Sequence, residues 1–151
     1  MLGLVTLVLG GVAAGAAAPQ AVMTIRAEVV ESCLITAEPM AFGTLAPGGR
    51  GTAEARLTFA CTPGTPFAVT LDAGAHGADG QRRMADASGT RFLAYDLYHD
   101  AAGTRAWSAA DPHRGTAPRE GAVTLAAFGR IAEQEAVAGT YADMVTVTVA
   151  F

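Results

Sequence analysis

Side chains able to carry chemistry are few and dispersed in this sequence. His76, His99 and His113 show neither H-x-H nor H-E-x-x-H spacing, which argues against a locally built metal site. The three serines, Ser32, Ser88 and Ser108, lie outside any G-x-S-x-G elbow, although spacing alone leaves a spatial triad open. The acids are scattered, with no pair in an obvious acid–base arrangement. Asp72 and Asp96 belong to no Asp-rich calcium loop. Gly48-Gly49-Arg50-Gly51 lacks a lysine and opens a strand pattern rather than a helix, so it reads as a turn and not a phosphate cradle. Trp107 could stack on a sugar, but in a chain with 7% aromatics its expected use is packing. The expectation is a protein that is not an enzyme and takes no cofactor.

Cys33 and Cys61 point elsewhere. Residues 2–18 are uncharged, apolar and rich in Ala at their end, as in a secretory leader, and the expected cut is Ala17|Ala18. No Lys or Arg precedes the apolar run, so a start further upstream and a retained anchor are alternative readings. In an exported chain two Cys most simply form one disulfide. A closed loop of this size contributes about 3.5 kcal/mol in the loop-entropy account. Neither Cys lies in a C-x-x-C, and neither has partner ligands at zinc spacing.

The chain has 151 residues, which suits one domain plus a leader. Hydrophobic residues make up 51% and charged residues 16%, enough apolar surface for a core and too little charge for disorder. There is no Lys and no Asn, and the net charge is -4, which argues against a nucleic-acid partner.

Period-two alternation dominates the body. Ala53, Ala55, Leu57, Phe59 and Cys61 share one face and Thr52, Glu54, Arg56 and Thr58 the other, as in a half-buried strand. Thr62-Pro63-Gly64 breaks it, and Phe67, Val69 and Leu71 suggest the second strand of a hairpin. Residues 73–90 and 101–121 read as loops, 92–99 and 122–131 as strands, and 132–139 as a connection with room for a helical turn. The segment 141–151 predicts one strand with Tyr141, Asp143, Val145, Val147, Val149 and Phe151 on one face. Ala21, Met23, Ile25, Ala27 and Val29 alternate with Thr24, Arg26, Glu28 and Val30, predicting another. Six or seven such strands imply an antiparallel sandwich. Residues 144–151 carry no charged side chain and no Pro to blunt pairing, so this strand is expected to be covered, either by the N-terminal strand of its own chain or by a strand from another molecule.

Several short stretches in order, over about 27–151, carry a family resemblance. They are Ser32-Cys33, Pro39-Met40-Ala41-Phe42-Gly43-Thr44, Phe59-Ala60-Cys61-Thr62-Pro63-Gly64-Thr65-Pro66-Phe67 and Leu71-Asp72-Ala73-Gly74. Arg82-Arg83-Met84, Leu93 through Asp100, Trp107, Phe128-Gly129-Arg130-Ile131 and Gly139 through Asp143 follow. Together the chain resembles the spore coat protein U domain, which is similar to subunits of archaic, Csu-type chaperone–usher pili. Phe128 and Phe151 stand where Tyr is common in that family, and Ser108 where Gly is common. The resemblance implies an all-β, incomplete immunoglobulin-like antiparallel sandwich completed by a donor strand. It implies a periplasmic chaperone, an outer-membrane usher and neighbouring pilus subunits as partners, with export through the periplasm to the cell surface.

Translated to this sequence, residues 1–17 are the expected leader, 18–27 the donor segment and 28–151 the sandwich domain. Ala21, Met23, Ile25 and Ala27 are the expected donor side chains. Val145, Val147, Val149 and Phe151, beside Leu57 and Phe59, are the expected acceptor groove. The function implied is a pilus shaft or adaptor subunit with a role in adhesion or biofilm. The alternatives are a secreted coat protein whose N-terminal strand closes its own fold, and an adhesin module that binds a carbohydrate or a surface.

Overall fold

The computed structural model describes residues 21–151. The expected leader and the first three residues of the expected donor segment lie outside them. Among the described residues the structure is all-β and contains no helix, including at 132–139.

Among the described residues nine strands form two antiparallel sheets. They are β1 (Cys33–Ala37), β2 (Gly51–Cys61), β3 (Pro66–Leu71), β4 (Arg82–Asp86), β5 (Phe92–Tyr98), β6 (His113–Thr116), β7 (Val123–Ile131), β8 (Tyr141–Ala142) and β9 (Val147–Ala150). The larger sheet runs β1-β2-β7-β5-β4-β8, and the smaller runs β6-β3-β9. Alternation builds both. Ala55, Leu57 and Phe59 of β2 point inward, as do Leu93, Tyr95 and Leu97 of β5 and Phe67, Val69 and Leu71 of β3. With Trp107, Ala127 and Ile131 they make one core between the sheets.

Several expectations change. β2 and β3 are not a hairpin: β2 pairs with β1 and β7, while β3 crosses to the other sheet and pairs with β6 and β9. The turn at 62–65 carries the chain from one layer to the next. The regions read as loops hold strands β4 and β6, each with few apolar residues. The terminal segment is two strands, not one. β8 pairs with β4 in the larger sheet and β9 with β3 in the smaller, so the chain changes layers across 143–146. Inward and outward positions nevertheless alternate unbroken from Tyr141 to Ala150.

Residues 21–32, of which 21–30 are expected as a strand, carry no secondary structure and are exposed throughout. A period-two pattern makes a strand only where a neighbouring edge supplies ladder partners, and none within the described chain does so here.

Candidate functional site

Two facing edges define the site. β1 is the outer strand of the larger sheet and β9 the outer strand of the smaller, and neither is paired on its other side among the described residues. Between them the sandwich opens into an apolar trough. One part, about 540 Å³, is lined by Ala37, Leu57, Leu71, Tyr95, Leu97, Ala127, Val145 and Val147, among others. It runs on into a second part of about 600 Å³ lined by Leu45, Leu93, Ile131 and Val137. Met40, Phe42, Met84 and Tyr141 line both. These four, with Val145 and Val147, are only half-buried against the core, so apolar surface is left open along the trough.

The wall opposite β9 comes from the connection between β1 and β2. Met40 and Phe42 lie across β7 at Gly129, where a Cβ would collide with the Met40 sulfur and the Phe42 ring. Phe42 also meets Tyr95 edge-on, with ring centroids 6.2 Å apart.

A polar cluster fixes the other wall. Arg82 is 8% exposed, yet it faces three carbonyls. Its Nε donates to Asp72 O at 2.8 Å, and its Nη2 to Leu71 O at 3.1 Å and Trp107 O at 2.8 Å. Burial pushes the guanidinium pKa down, opposed by Tyr95, Asp96, Asp72 and Asp143. Burial pushes the Asp72 carboxyl up, but the N–H groups of Thr146 and Gly74, each 2.9 Å away, outweigh it and leave the carboxyl below its usual range. Asp143 sits at the layer change with its side chain 3% exposed. It accepts from the Tyr95 hydroxyl at 2.7 Å, and its other oxygen lies 3.2 Å from His76 N and 3.0 Å from His76 Nδ1. Burial, then Asp143, raises the Tyr95 pKa. Gly74, at φ +80°, passes so close to the Asp143 carboxylate that no side chain fits there. These bonds break the terminal strand at 143–146 and aim Val145 and Val147 into the trough.

At the pole where β2 ends, Cys33 and Cys61 face each other in register and form a disulfide, with Cα atoms 4.0 Å apart. Trp107 is fully buried, donates from Nε1 to Val69 O at 3.0 Å and stacks on His99 at 4.5 Å. It is a core residue, which leaves no face for a sugar. His113 lies 6.1 Å from His99, and burial, then the neighbouring His99 and Arg105, lowers its pKa.

The expected groove residues separate by position. Leu57, Val145 and Val147 line the trough. Phe59 is buried in the core, Val149 is half-buried against it, and Phe151 stands 56% exposed beyond β9. Ala21, Met23, Ile25 and Ala27 are exposed and do not enter this chain's own trough, with Met23 at 81% and Ile25 at 82%. Sequence reading did not place Met40, Phe42, Met84 and Tyr141 at the groove. Met40, Phe42 and Met84 had no signal beyond membership of the short stretches that carry the family resemblance, whereas Tyr141 also shares the alternating face of Val145 and Val147.

The Spore Coat Protein U domain family model matches residues 20–148, and the chain belongs to that family. Among solved structures it is similar to the CsuC–CsuE chaperone–tip adhesion subunit pre-assembly complex from the archaic chaperone–usher Csu pili of Acinetobacter baumannii. The TM-score is 0.63 at 27% identity, over 82% of this chain and 40% of the matched chain. The present chain thus spans well under half the length of that relative. No curated protein matches. The fold is an immunoglobulin-like antiparallel sandwich, shared with that pilus complex.

Proposed function

We propose that this chain is a structural subunit of a secreted surface polymer of the chaperone–usher class, assembled by donor-strand complementation. The observation that carries the reading is the pairing of two complementary parts in one sequence. One is an apolar trough between two unpaired edges; the other is an apolar, alternating segment that finds no ladder of its own. Residues 1–17 would be the leader, 18–27 the donor segment and 28–151 the domain. A periplasmic chaperone would lend a strand to the trough until an outer-membrane usher exchanges it for a neighbouring subunit's donor. The polymer, as shaft or adaptor, would serve adhesion or biofilm formation at the cell surface. A trough left open would be an aggregation hazard, which gives a covering chaperone its physical purpose.

Burying Met23 and Ile25 would contribute about 1.5–3 kcal/mol each before ordering costs, with ladder bonds adding to that. The test compares oxidised chain 18–151 with chain 28–151 by size-exclusion chromatography and negative-stain microscopy, adding a peptide of residues 18–31 to the shorter form. Rods from the long form, and rescue of the short form by the peptide, are expected. Ile25→Asp should abolish the rods and leave the fold intact. A long form that is a stable monomer with residues 21–27 protected from exchange would overturn the proposal.

A further inference from the structure

We infer that the methionines of the trough are an oxidation switch: hydrogen peroxide or hypochlorous acid converts them to sulfoxides and thereby closes the subunit to assembly. The inference rests on the donor-strand reading above and adds how the same site is regulated.

Placement comes first. The chain has five methionines, Met1, Met23, Met40, Met84 and Met144. The last four are all absent from the buried core, which aliphatic and aromatic side chains fill. Met40, Met84 and Met144 line the trough, and Met23 stands in the extension. Met144 is 77% exposed and Met23 81%, while Met40 and Met84 are half-buried. Gly129 closes one side of the Met40 sulfur, so a small reagent reaches it from the trough. The Met144 carbonyl accepts from the Ala75 N–H at 2.9 Å, which fixes this residue beside Val145 at the rim.

Little else competes for an oxidant. Both cysteines are bridged, there is no lysine amine, and Trp107 is 1% exposed. Among the described residues the thioethers are therefore the soft nucleophiles that such a reagent meets first. With hydrogen peroxide, sulfur attacks one oxygen, the O–O bond breaks, and water leaves after proton transfer. With hypochlorous acid the products are the sulfoxide, chloride and a proton. In each case sulfur loses an electron pair and the reagent gains it.

The new oxygen acts differently on the open and the filled trough. In the open trough, water solvates it. In the filled trough, the donors on the walls are already committed. The Tyr95 hydroxyl donates to Asp143, the Tyr141 hydroxyl to Val137 O, and the Gln134 amide to Ala94 O. A covered sulfoxide loses its water and gains no partner there, which opposes filling. The penalty falls on the filled state, so oxidation shifts the equilibrium toward the open one. By linkage, a filled trough shields Met40 and Met84 from the reagent. Methionine sulfoxide reductases reverse the step while the trough is open.

The test uses the disulfide-bonded chain 18–151 with Met23→Leu, so that only the trough responds. Rods are scored first without oxidant. A second portion is treated with hypochlorous acid before assembly and freed of it. Tryptic mass spectrometry then locates the sulfoxides, because Met40, Met84 and Met144 fall in separate Arg-bounded segments. The treated chain should form fewer rods by about tenfold or more. With Met40→Leu, Met84→Leu and Met144→Leu added, treatment should change nothing, since leucine keeps the volume and takes no oxygen. Trough sulfoxides with normal rod yield, or an equal loss in the leucine chain, would sink the inference. A second measurement needs no trough variant and decides the matter should the leucine chain misfold. Met40 and Met84 should oxidise about tenfold or more slowly in rods than in the unassembled Ile25→Asp chain, and equal rates overturn the inference. An untreated chain that is a stable monomer removes the donor-strand reading and this inference with it. Rods that form regardless of oxidation remove this inference alone.

Discussion

Arg82→Met removes the one buried cation that holds three segments of the trough wall together. The methionine keeps most of the stem but donates to nothing, so the carbonyls of Leu71, Asp72 and Trp107 lose their shared partner. Orphaning three buried carbonyls costs about 3–9 kcal/mol at the usual 1–3 each, held to the lower half of that range where water reaches them. Against this, the variant avoids desolvating a guanidinium and gains about 1–2 kcal/mol of apolar burial. The net loss should be about 2–4 kcal/mol, a large share of the 5–15 typical of a whole domain. With a urea m-value of about 1.5–2 kcal/mol/M for this size, the unfolding midpoint should fall by roughly 1–2.7 M. Arg82→Lys is the informative companion. An ammonium keeps the charge but cannot present the planar fork, so it should recover less than half of the loss. The assay is urea unfolding of the oxidised chain followed by Trp107 fluorescence, since Trp107 O is one of the three acceptors. A midpoint shift for Arg82→Met under about 0.3 M, or full recovery in Arg82→Lys, would refute the reasoning.

Two further outcomes follow from the walls of the trough. Gly129→Val should displace Met40 and Phe42 from β7, costing about 1–3 kcal/mol by overpacking. It should also weaken binding of a peptide of residues 18–31 more than tenfold in a calorimetric titration of the truncated domain. The Asp72 carboxyl has a folded pKa below its ordinary value, so its contribution is complete above about pH 4 and disappears as pH falls through the folded value. Asp72→Asn should therefore flatten the decline of stability between about pH 4 and pH 2, as read from urea midpoints across that range.

Particular residues show what alternation could and could not reveal. β2, β3, β5 and β7 were legible because each buries an unbroken apolar parity on one face. β4 was not, because its inward residue at position 82 is an arginine, held in place by carbonyls 10 to 25 residues away. β6, His113–Thr116, has no apolar side chain to announce it. The terminal segment was read with the right parity and the wrong continuity. Burial alternates through Asp143, but its bonds to Tyr95 and His76 make the chain change sheets there. The hairpin from β2 to β3 failed because a Pro-Gly turn says that the chain turns and not into which layer. Of the trough, β9 and β2 supplied the residues visible in the sequence. Met40 and Phe42 belong to a segment without regular structure, where no periodicity marks an inward side chain.

The place of the disulfide also determines how tension would travel through the molecule. A pull on the extension arrives at Cys33 and crosses a covalent bond to Cys61 before it strains the ladder that β1 makes further on. It thereby enters β2, an interior strand held by β1 on one side and by nine register positions of β7 on the other. The load runs along the axis of that strand, so its cross-strand bonds are sheared together instead of being peeled apart one by one. The disulfide thus hands a pull on the extension to an interior strand and spares the edge strand β1.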